Sequence, residues 1–222
     1  PTPPLPPGTF VVNSTADGAD ANTTDGVCQT STAGQCTLRA AIQQANASAG
    51  ANTITFNIPG AGPHTIQPTS VLPRITDAVI INGTSEPDFA GTPIIELDGS
   101  LAGVGVNGLT VEAGNCTIRG LVINRFTGDG IRLDINDNNI VVGNYLGTDV
   151  TGTLDRGNLG SGILLYYQSG GNIIGGTTAA DRNVISGNDY HGIFNQWSAA
   201  NVIQGNLIGL DASGNAILPN GV

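Results

Sequence analysis

The side chains best suited to acid–base chemistry lie in one short stretch near the end of the chain. Asp189, Tyr190 and His191 are consecutive, and Arg182 lies a few residues before them. In an enzyme that cleaves or epimerises a uronic-acid polymer, His191 would be the base and Tyr190 the acid. Arg182 would hold the substrate carboxylate and Asp189 would orient the base. A glycoside hydrolase needs clustered carboxylates instead, and no paired-aspartate motif is present.

The same stretch also occupies a recurring position in the sequence. His191 precedes a Gly-Ile pair, as Asp129 and Ser161 do earlier in the chain. A residue that varies at this position is typical of an exposed site before a corner. We therefore favour a surface histidine and predict no catalytic residue, while a polysaccharide lyase or epimerase stays as the alternative.

Three acidic residues fall close together near the start of the chain. Asp17, Asp20 and Asp25 share one glycine-containing loop, and carboxylates at such spacing suit an oxygen-seeking cation such as Ca²⁺. The terminal glutamate of an EF-hand is absent, and a solvated acidic turn is the alternative. No other cofactor is expected.

Composition and charge exclude several classes of partner. The 222 residues carry a formal charge of -10, with seven basic residues, all of them arginine. An acidic chain without a basic stripe repels phosphate backbones and anionic lipid, so we expect no nucleic-acid partner. No apolar run approaches the roughly 20 residues of a spanning helix, so we expect no membrane insertion.

The secondary-structure elements that would position these side chains are predicted from an internal repeat. The segment NIVVGNYLGTDVTG at 139–152 returns as NVIQGNLIGLDASG at 201–214, with shorter copies at 115–120 and 172–176. Short apolar runs separated by Gly and Asn, with a period of about 24 to 33 residues, predict coils of a parallel β-helix rather than helical repeats. We expect an all-β solenoid of six or seven coils across residues 51–222.

Asparagines recur at equivalent positions of this repeat. Asn139, Asn172 and Asn201 each open a copy. They could stack as a ladder in which each amide bonds its neighbour one coil away. The alternative is that asparagine is present because it tolerates left-handed backbone at a corner.

The first fifty residues differ from the repeats. Residues 1–8 contain most of the early prolines and are predicted to form an extended tail or linker, and residues 9–50 are predicted to cap the solenoid. A helix is expected from Thr37, its N-cap, to residue 47. Its apolar stripe consists of Leu38, Ala41, Ile42 and Ala45.

Residues 25–28 (DGVC), 35–42 (QCTLRAAI) and 45–47 (ANA) resemble the CSLREA-type segment of bacterial secreted and cell-surface proteins. Thr37 and Ala40 replace the serine and glutamate of that motif. The resemblance implies a right-handed parallel β-helix, an extracellular location and no defined active site.

An extracellular location bears on the state of the cysteines. In an exported protein, the spacing of Cys28 and Cys36 suggests a disulfide rather than two free thiols. Cys116, in an apolar strand, is expected to be a buried small side chain; a reactive or intersubunit thiol is the alternative.

Together these observations predict an extracellular structural or adhesive module, a stiff spacer or a fibre subunit. Because residues 217–222 show no capping element, we expect either that the natural chain continues or that another copy stacks head to tail on this end. Binding of surface polysaccharide is the alternative. Its candidate residues are the aromatic ones of the last third, Tyr145, Tyr166, Tyr167, Tyr190 and Trp197.

Overall fold

The structure is a computed structural model that describes residues 5–135 and 137–221. The first half of the expected proline-rich tail, residues 1–4, lies outside this range, whereas Leu5 forms a parallel bridge to Ser48. The helix α1 spans Leu38–Ala47. The strands are β1 Thr9–Val12, β2 Asn52–Phe56, β3 His64–Ile66, β4 Val79–Asn82, β5 Ile95–Asp98, β6 Leu109–Val111, β7 Thr117–Arg119, β8 Leu121–Asn124, β9 Ile131–Asp134, β10 Ile140–Val142, β11 Tyr145–Leu146, β12 Ile163–Tyr166, β13 Ile173–Gly175, β14 Val184–Ile185, β15 Ile193–Gln196, β16 Val202–Gln204 and β17 Leu207–Ile208.

The strands form three sheets in which every strand pairing is parallel. Sheet A has the order β1-β2-β4-β7-β10-β13-β16, sheet B the order β3-β5-β8-β11-β14-β17, and sheet C the order β6-β9-β12-β15. From β4 onwards the chain visits sheets A, B and C in turn and then returns to A beside its previous strand. This cyclic order is compatible with a parallel β-helix.

The core lies between the three sheets. Ile118, Val141 and Ile174 are in register in sheet A, and each is at most 1% exposed. Their neighbours along the strand point the other way because side chains alternate in a β-strand. One hydrophobic cluster runs from Phe10 to Ile185, so the short apolar runs of the sequence supply a continuous interior.

The helix closes the core next to β1. The Thr37 hydroxyl accepts a hydrogen bond from Ala40 N, as an N-cap does. The apolar stripe packs against β1 and β2, and the helix ends at the C-cap Ser48. No helix in the described residues is long and apolar enough to cross a membrane. The buried residues of the stripe are Leu38, Ala41, Ile42 and Ala45.

Two strands lie one residue later than their apolar runs predict. The runs at 78–81 and 94–97 predict strands with those bounds, but β4 and β5 end at Asn82 and Asp98. These polar residues complete their strands and then cap the 3₁₀ turns that follow, accepting hydrogen bonds from Thr84 N and Ser100 N. The alternation of apolar residues could not reveal this second role.

An asparagine ladder stands at the corner before sheet A. The Oδ1 atom of Asn139 accepts from Cys116 N, that of Asn172 from Asn139 N, and that of Asn201 from Asn172 N, at 2.8, 2.8 and 2.9 Å. The Asn172 Nδ2 also donates to Asn201 Oδ1 at 2.9 Å. Each amide therefore satisfies a backbone N–H one repeat earlier.

None of these three asparagines has left-handed backbone. The positive φ angles fall one residue earlier, at Asn138, Gly171 and Ala200. The tolerance of asparagine for left-handed backbone is therefore not the reason for this repeat position; the hydrogen-bonding ability of the amide is.

Two further ladders occupy the other corners and were not anticipated from the sequence. Before sheet B, Asn144 Nδ2 donates to Asn183 Oδ1 at 3.1 Å, and Asn183 Nδ2 to Asn206 Oδ1 at 2.9 Å. Before sheet C, two bonds of 2.9 Å join a second set of amides. That set consists of Asn158, Asn188 and Asn220. The repeated Gly-Asn pairs at 143–144, 157–158, 187–188 and 205–206 were the available signal.

The repeated aspartates shape two equivalent loops. Asp149 Oδ1 accepts from Leu154 N at 3.0 Å, and Asp211 Oδ1 accepts from Ala216 N at 3.1 Å. Partial burial by itself would raise the pKa of Asp149. The hydrogen bonds that the carboxylate accepts, of which the one from Leu154 N has the largest effect, outweigh burial, and the pKa lies below its usual range. Hydrogen bonds to the carboxylate, of which the one from the Ser213 side chain has the largest effect, lower the pKa of Asp211. Both act as turn formers.

Removing one ladder amide should destabilise the fold. Asn172→Ala leaves the backbone N–H of Asn139 buried without an acceptor, which costs about 2 to 3 kcal/mol. Urea denaturation measures the free energy of unfolding. Asn57→Ala, an exposed asparagine whose side chain is in no ladder, should change it by less than about 0.5 kcal/mol. Equal losses in the two variants would contradict a structural role for the ladder.

Candidate functional site

The outer face of sheet C carries the densest group of aromatic and charged side chains in the described residues. The register aligns Arg132 of β9 with Leu164 of β12 and Phe194 of β15. One further row aligns Asp134, Tyr166 and Gln196. Because neighbouring parallel strands lie about 4.8 Å apart, these side chains form a continuous surface across three repeats.

A second row lies at the corner that follows the same strands. Ile135, Tyr167 and Trp197 directly follow β9, β12 and β15, and we name them the corner stripe. Their side chains are 61%, 50% and 71% exposed. The Tyr167 and Trp197 rings meet edge to face with centroids 6.4 Å apart. Large exposed apolar side chains in consecutive rows mark an interaction surface more often than chance exposure does.

The backbone of the corner stripe is strained. Ile135, Tyr167 and Trp197 have φ angles of 64°, 41° and 58°, in the left-handed region where a side chain costs about 1 to 2 kcal/mol per residue. Glycine occupies many other corners of this chain at no such cost. Strain retained where glycine would serve is typical of functional positions.

An ion pair and a cation–π contact order the face beside the stripe. The Arg132 guanidinium lies 4.3 Å from the centroid of the Tyr166 ring, and its Nε donates to Asp134 at 2.9 Å. Three charged or aromatic groups thereby hold one another in place before any ligand arrives. The Arg132 and Asp134 side chains next to the corner stripe are thus paired with each other, and their charges cancel.

The proposed catalytic residues are only partly brought together. Tyr190 and His191 stack with ring centroids 4.2 Å apart, and His191 also lies 4.8 Å from Phe194. Arg182, however, precedes β14 at the corner between sheets A and B, whereas residues 189–191 follow β14 at the corner before sheet C. The Arg182 Nε donates to Gly205 O at 3.0 Å. The arrangement of Arg182, Asp189, Tyr190 and His191 as one acid–base site is therefore not what the structure shows.

One of the five aromatic candidates lies elsewhere. Tyr145 is only 9% exposed on the outer side of sheet B, packed with Val122 and Val184. Val150 and Ala212, from the two aspartate-shaped loops, cover it. Burial raises the pKa of its phenol. Tyr145 is a packing residue, and the expectation that it belongs to the aromatic patch was wrong.

The acidic loop near the start of the chain does not form one set of metal ligands. Asp17 pairs with Arg39, Oδ1 to Nε at 2.9 Å, and accepts a further bond from Thr69 N. Asp20 and Asp25 accept hydrogen bonds from the backbone of their own loop. Within the described ranges the three carboxylates are not among the groups whose ligand atoms lie within 4.8 Å of one another. Calcium binding at Asp17, Asp20 and Asp25 thus has no geometric support.

The cysteines serve structural purposes. Cys28 and Cys36 form a disulfide with Cα atoms 5.3 Å apart, which joins the acidic loop to the start of α1. Cys116 is buried and unbridged. Burial in the core raises the pKa of its thiol to about 11, so the nucleophilic thiolate is disfavoured.

The chain was also compared with known proteins. No protein-family model matches it, and no curated protein matches it. The candidate site therefore rests on its own geometry, and the corner stripe with the face beside it is the arrangement in which exposure, strain and order coincide.

Relief of the backbone strain provides a test of the corner stripe. Ile135→Gly should raise the free energy of unfolding by about 0.5 to 1 kcal/mol, because glycine adopts a positive φ without steric cost. Ile173→Gly is the matched control, since Ile173 is a half-exposed isoleucine within β13. There glycine should destabilise the strand. Urea denaturation measures the free energy of unfolding of both variants. A decrease in that free energy at both positions would show that the backbone of Ile135 is not strained.

Proposed function

We propose that this chain is an extracellular structural and adhesive module that binds a neutral polysaccharide. The binding surface consists of the corner stripe and the adjoining outer face of sheet C, which we together call the sheet C surface. In this proposal the three sheets form the faces of a right-handed parallel β-helix of six or seven coils. The cyclic order of the strands and the seven strands of sheet A support it. The right-handed sense is supported by the strong preference of parallel crossover connections for that hand.

The observation that carries the proposed function is the corner stripe. The exposed rings of Tyr167 and Trp197 offer flat apolar faces, and sugar rings present matching apolar C–H faces. Gln168 and Gln196 lie beside these rings and supply amide donors and acceptors for hydroxyl groups. Because the stripe crosses successive strands, a linear polymer can contact several rows at once, and weak contacts then add.

Charge favours a neutral polymer over a uronate. The chain carries a formal charge of -10, which repels polyanions at a distance. Arg132, the basic residue on this face, is already paired with Asp134. A lyase or epimerase acting on uronates would need an unpaired basic group to neutralise the substrate carboxylate, so the adhesive function is the better supported one.

Rigidity supports the structural part of the proposal. The three asparagine ladders tie each repeat to the next, and the disulfide fixes the cap. A preordered surface loses little conformational entropy on binding. The disulfide is also consistent with an oxidising, extracellular location, which agrees with the resemblance of the cap to bacterial surface proteins.

Affinity for neutral polymers tests the proposed function. Electrophoresis of the purified chain through gels containing xylan, soluble cellulose derivatives or glucan should show retardation. Trp197→Ala should weaken the affinity at least tenfold, because an exposed aromatic side chain that anchors a ligand contributes about 2 kcal/mol. Val104→Ala, which truncates a side chain 96% exposed outside this surface, should leave the affinity unchanged.

Two results would overturn the adhesive function. The first is migration unaffected by any neutral polymer, and the second is retardation that Trp197→Ala leaves intact. Retardation by polygalacturonate or alginate alone, accompanied by release of unsaturated products, would favour the lyase alternative.

A second candidate function is end-to-end self-association. In the described residues, the outer edges of β15, β16 and β17 pair with no strand, and Val202, Ile203 and Ile208 are each more than 40% exposed there. The opposite end of sheet A is covered by α1. Head-to-tail stacking would set open strand edges against a helix, so the geometry favours two copies that pair their open edges about a two-fold axis.

Sedimentation velocity tests this contact. The chain should form a dimer whose fraction rises with concentration, and Val202→Lys, on the outward face of the edge strand β16, should shift it to monomer because the lysine would be desolvated in the contact. Ile173→Lys, on the outward face of an inner strand, is the matched control and should leave the dimer intact. A wild-type chain that stays monomeric over the accessible concentrations would exclude the contact.

A further inference from the structure

A compact group of metal-ligating side chains lies outside the surface described above. His64 begins β3, the first strand of sheet B, and Glu86 and Asp88 lie in the loop that follows β4. One ligand atom from each residue lies within 4.8 Å of the other two. In the sequence, the histidine and the glutamate are separated by most of a repeat, so only the fold brings them together.

The buried imidazole has an unsatisfied nitrogen that points to a ligand. The His64 side chain is 7% exposed, and its Nε2 has no hydrogen-bond partner. The nearest carboxylate oxygen, Glu86 Oε1, is 3.8 Å away, which is too far for a hydrogen bond. Buried polar atoms without a partner are uncommon in folded proteins, and a bound metal ion would satisfy this one.

The two carboxylates are held in place by backbone groups. Glu86 accepts from Ile58 N at 3.1 Å through Oε2, and Asp88 Oδ2 accepts from Gly62 N at 2.7 Å. The backbone of His64 is fixed by a 2.8 Å bond from its N to Ile94 O. Hydrogen bonds of this kind orient ligands around protein-bound metals, so the group is prepared rather than accidental.

We propose that His64, Glu86 and Asp88 bind a zinc ion. One imidazole nitrogen and two carboxylate oxygens form a donor set that suits Zn²⁺, whereas Ca²⁺ prefers oxygen ligands alone. Bonds of about 2.0 to 2.2 Å in a tetrahedron place ligand atoms about 3.3 Å apart. The 3.8 Å between His64 and Glu86 needs only a small contraction to reach that spacing.

The position of the three ligands suggests what the ion does. His64 and Glu86 are buried, while Asp88 is exposed. The fourth position is thus on the solvent side, where water can complete the coordination. The ion joins the first strand of sheet B to the loop after β4, and so ties a projecting loop to the sheet. The zinc site is independent of the sheet C surface.

Zinc titration of the whole purified chain tests the site. After dialysis against a chelator, isothermal titration with zinc chloride should show one ion per chain, and saturating zinc should raise the melting temperature. Asp88→Asn, an exposed substitution, should weaken the affinity at least tenfold. His64→Gln should also weaken it, provided that circular dichroism shows a folded chain.

His191→Gln is the matched control because it removes the other histidine of the chain. It should leave zinc affinity unchanged. The site is excluded if the wild-type chain binds no zinc, if Asp88→Asn binds it as tightly as the wild type, or if only His191→Gln abolishes binding. If His64→Gln does not fold, the zinc affinities of Asp88→Asn and His191→Gln are compared instead, and only Asp88→Asn should bind zinc more weakly than the wild type.

Discussion

The corners that carry the asparagine ladders bury backbone N–H and C=O groups, and those groups need hydrogen-bond partners there. The constraint is severe because each repeat turns at three corners and the strands between them are as short as two residues. Buried N–H and C=O groups left unpaired cost about 1 to 3 kcal/mol each. Asparagine answers this need because one amide accepts from a backbone N–H and still has two hydrogens to donate. Asn144, for example, accepts from Leu121 N and donates to Ile118 O and to Asn183. The rest of the structure depends on this bonding.

The ladders also determine what the outside of the molecule presents. Because each amide bonds the equivalent residue of the next repeat, the repeats cannot slip against one another. Side chains at equivalent positions therefore form rows, and the row of Ile135, Tyr167 and Trp197 is one result. Its left-handed backbone is unfavourable locally and persists because the surrounding hydrogen bonds determine the conformation of the corner. Structural and candidate functional residues are thus separated, the former inside the corners and the latter on the outer face of sheet C and on the outside of the corner that follows it.

Local patterns predicted local structure well. The i, i+3, i+4, i+7 stripe and Thr37 located the helix to the residue, and the eight-residue spacing suggested the disulfide that the structure contains. The asparagine ladder was foreseen at one corner, where the repeat phrase is longest, and missed at two others, where only Gly-Asn pairs mark it. The grouping of Arg182 with His191 failed for a different reason. These residues are near one another along the chain but not in space, because β14 carries the backbone from one corner to the next between them.

The sequence by itself determined which short segments form strands and turns, where the cap lies, and which residues recur from repeat to repeat, because these depend on interactions within a few residues. Only the tertiary structure decided which residues meet across repeats. From β2 onwards, paired strands lie between 22 residues (Leu109 and Ile131) and 39 residues (Tyr145 and Val184) apart along the chain, so an equivalent position cannot be located by counting. The pairing of neighbouring repeats removes that uncertainty: it buries Tyr145 and brings His64 beside Glu86. The physical reason is that contacts between repeats depend on register, and register is set by the buried amide bonds at the corners.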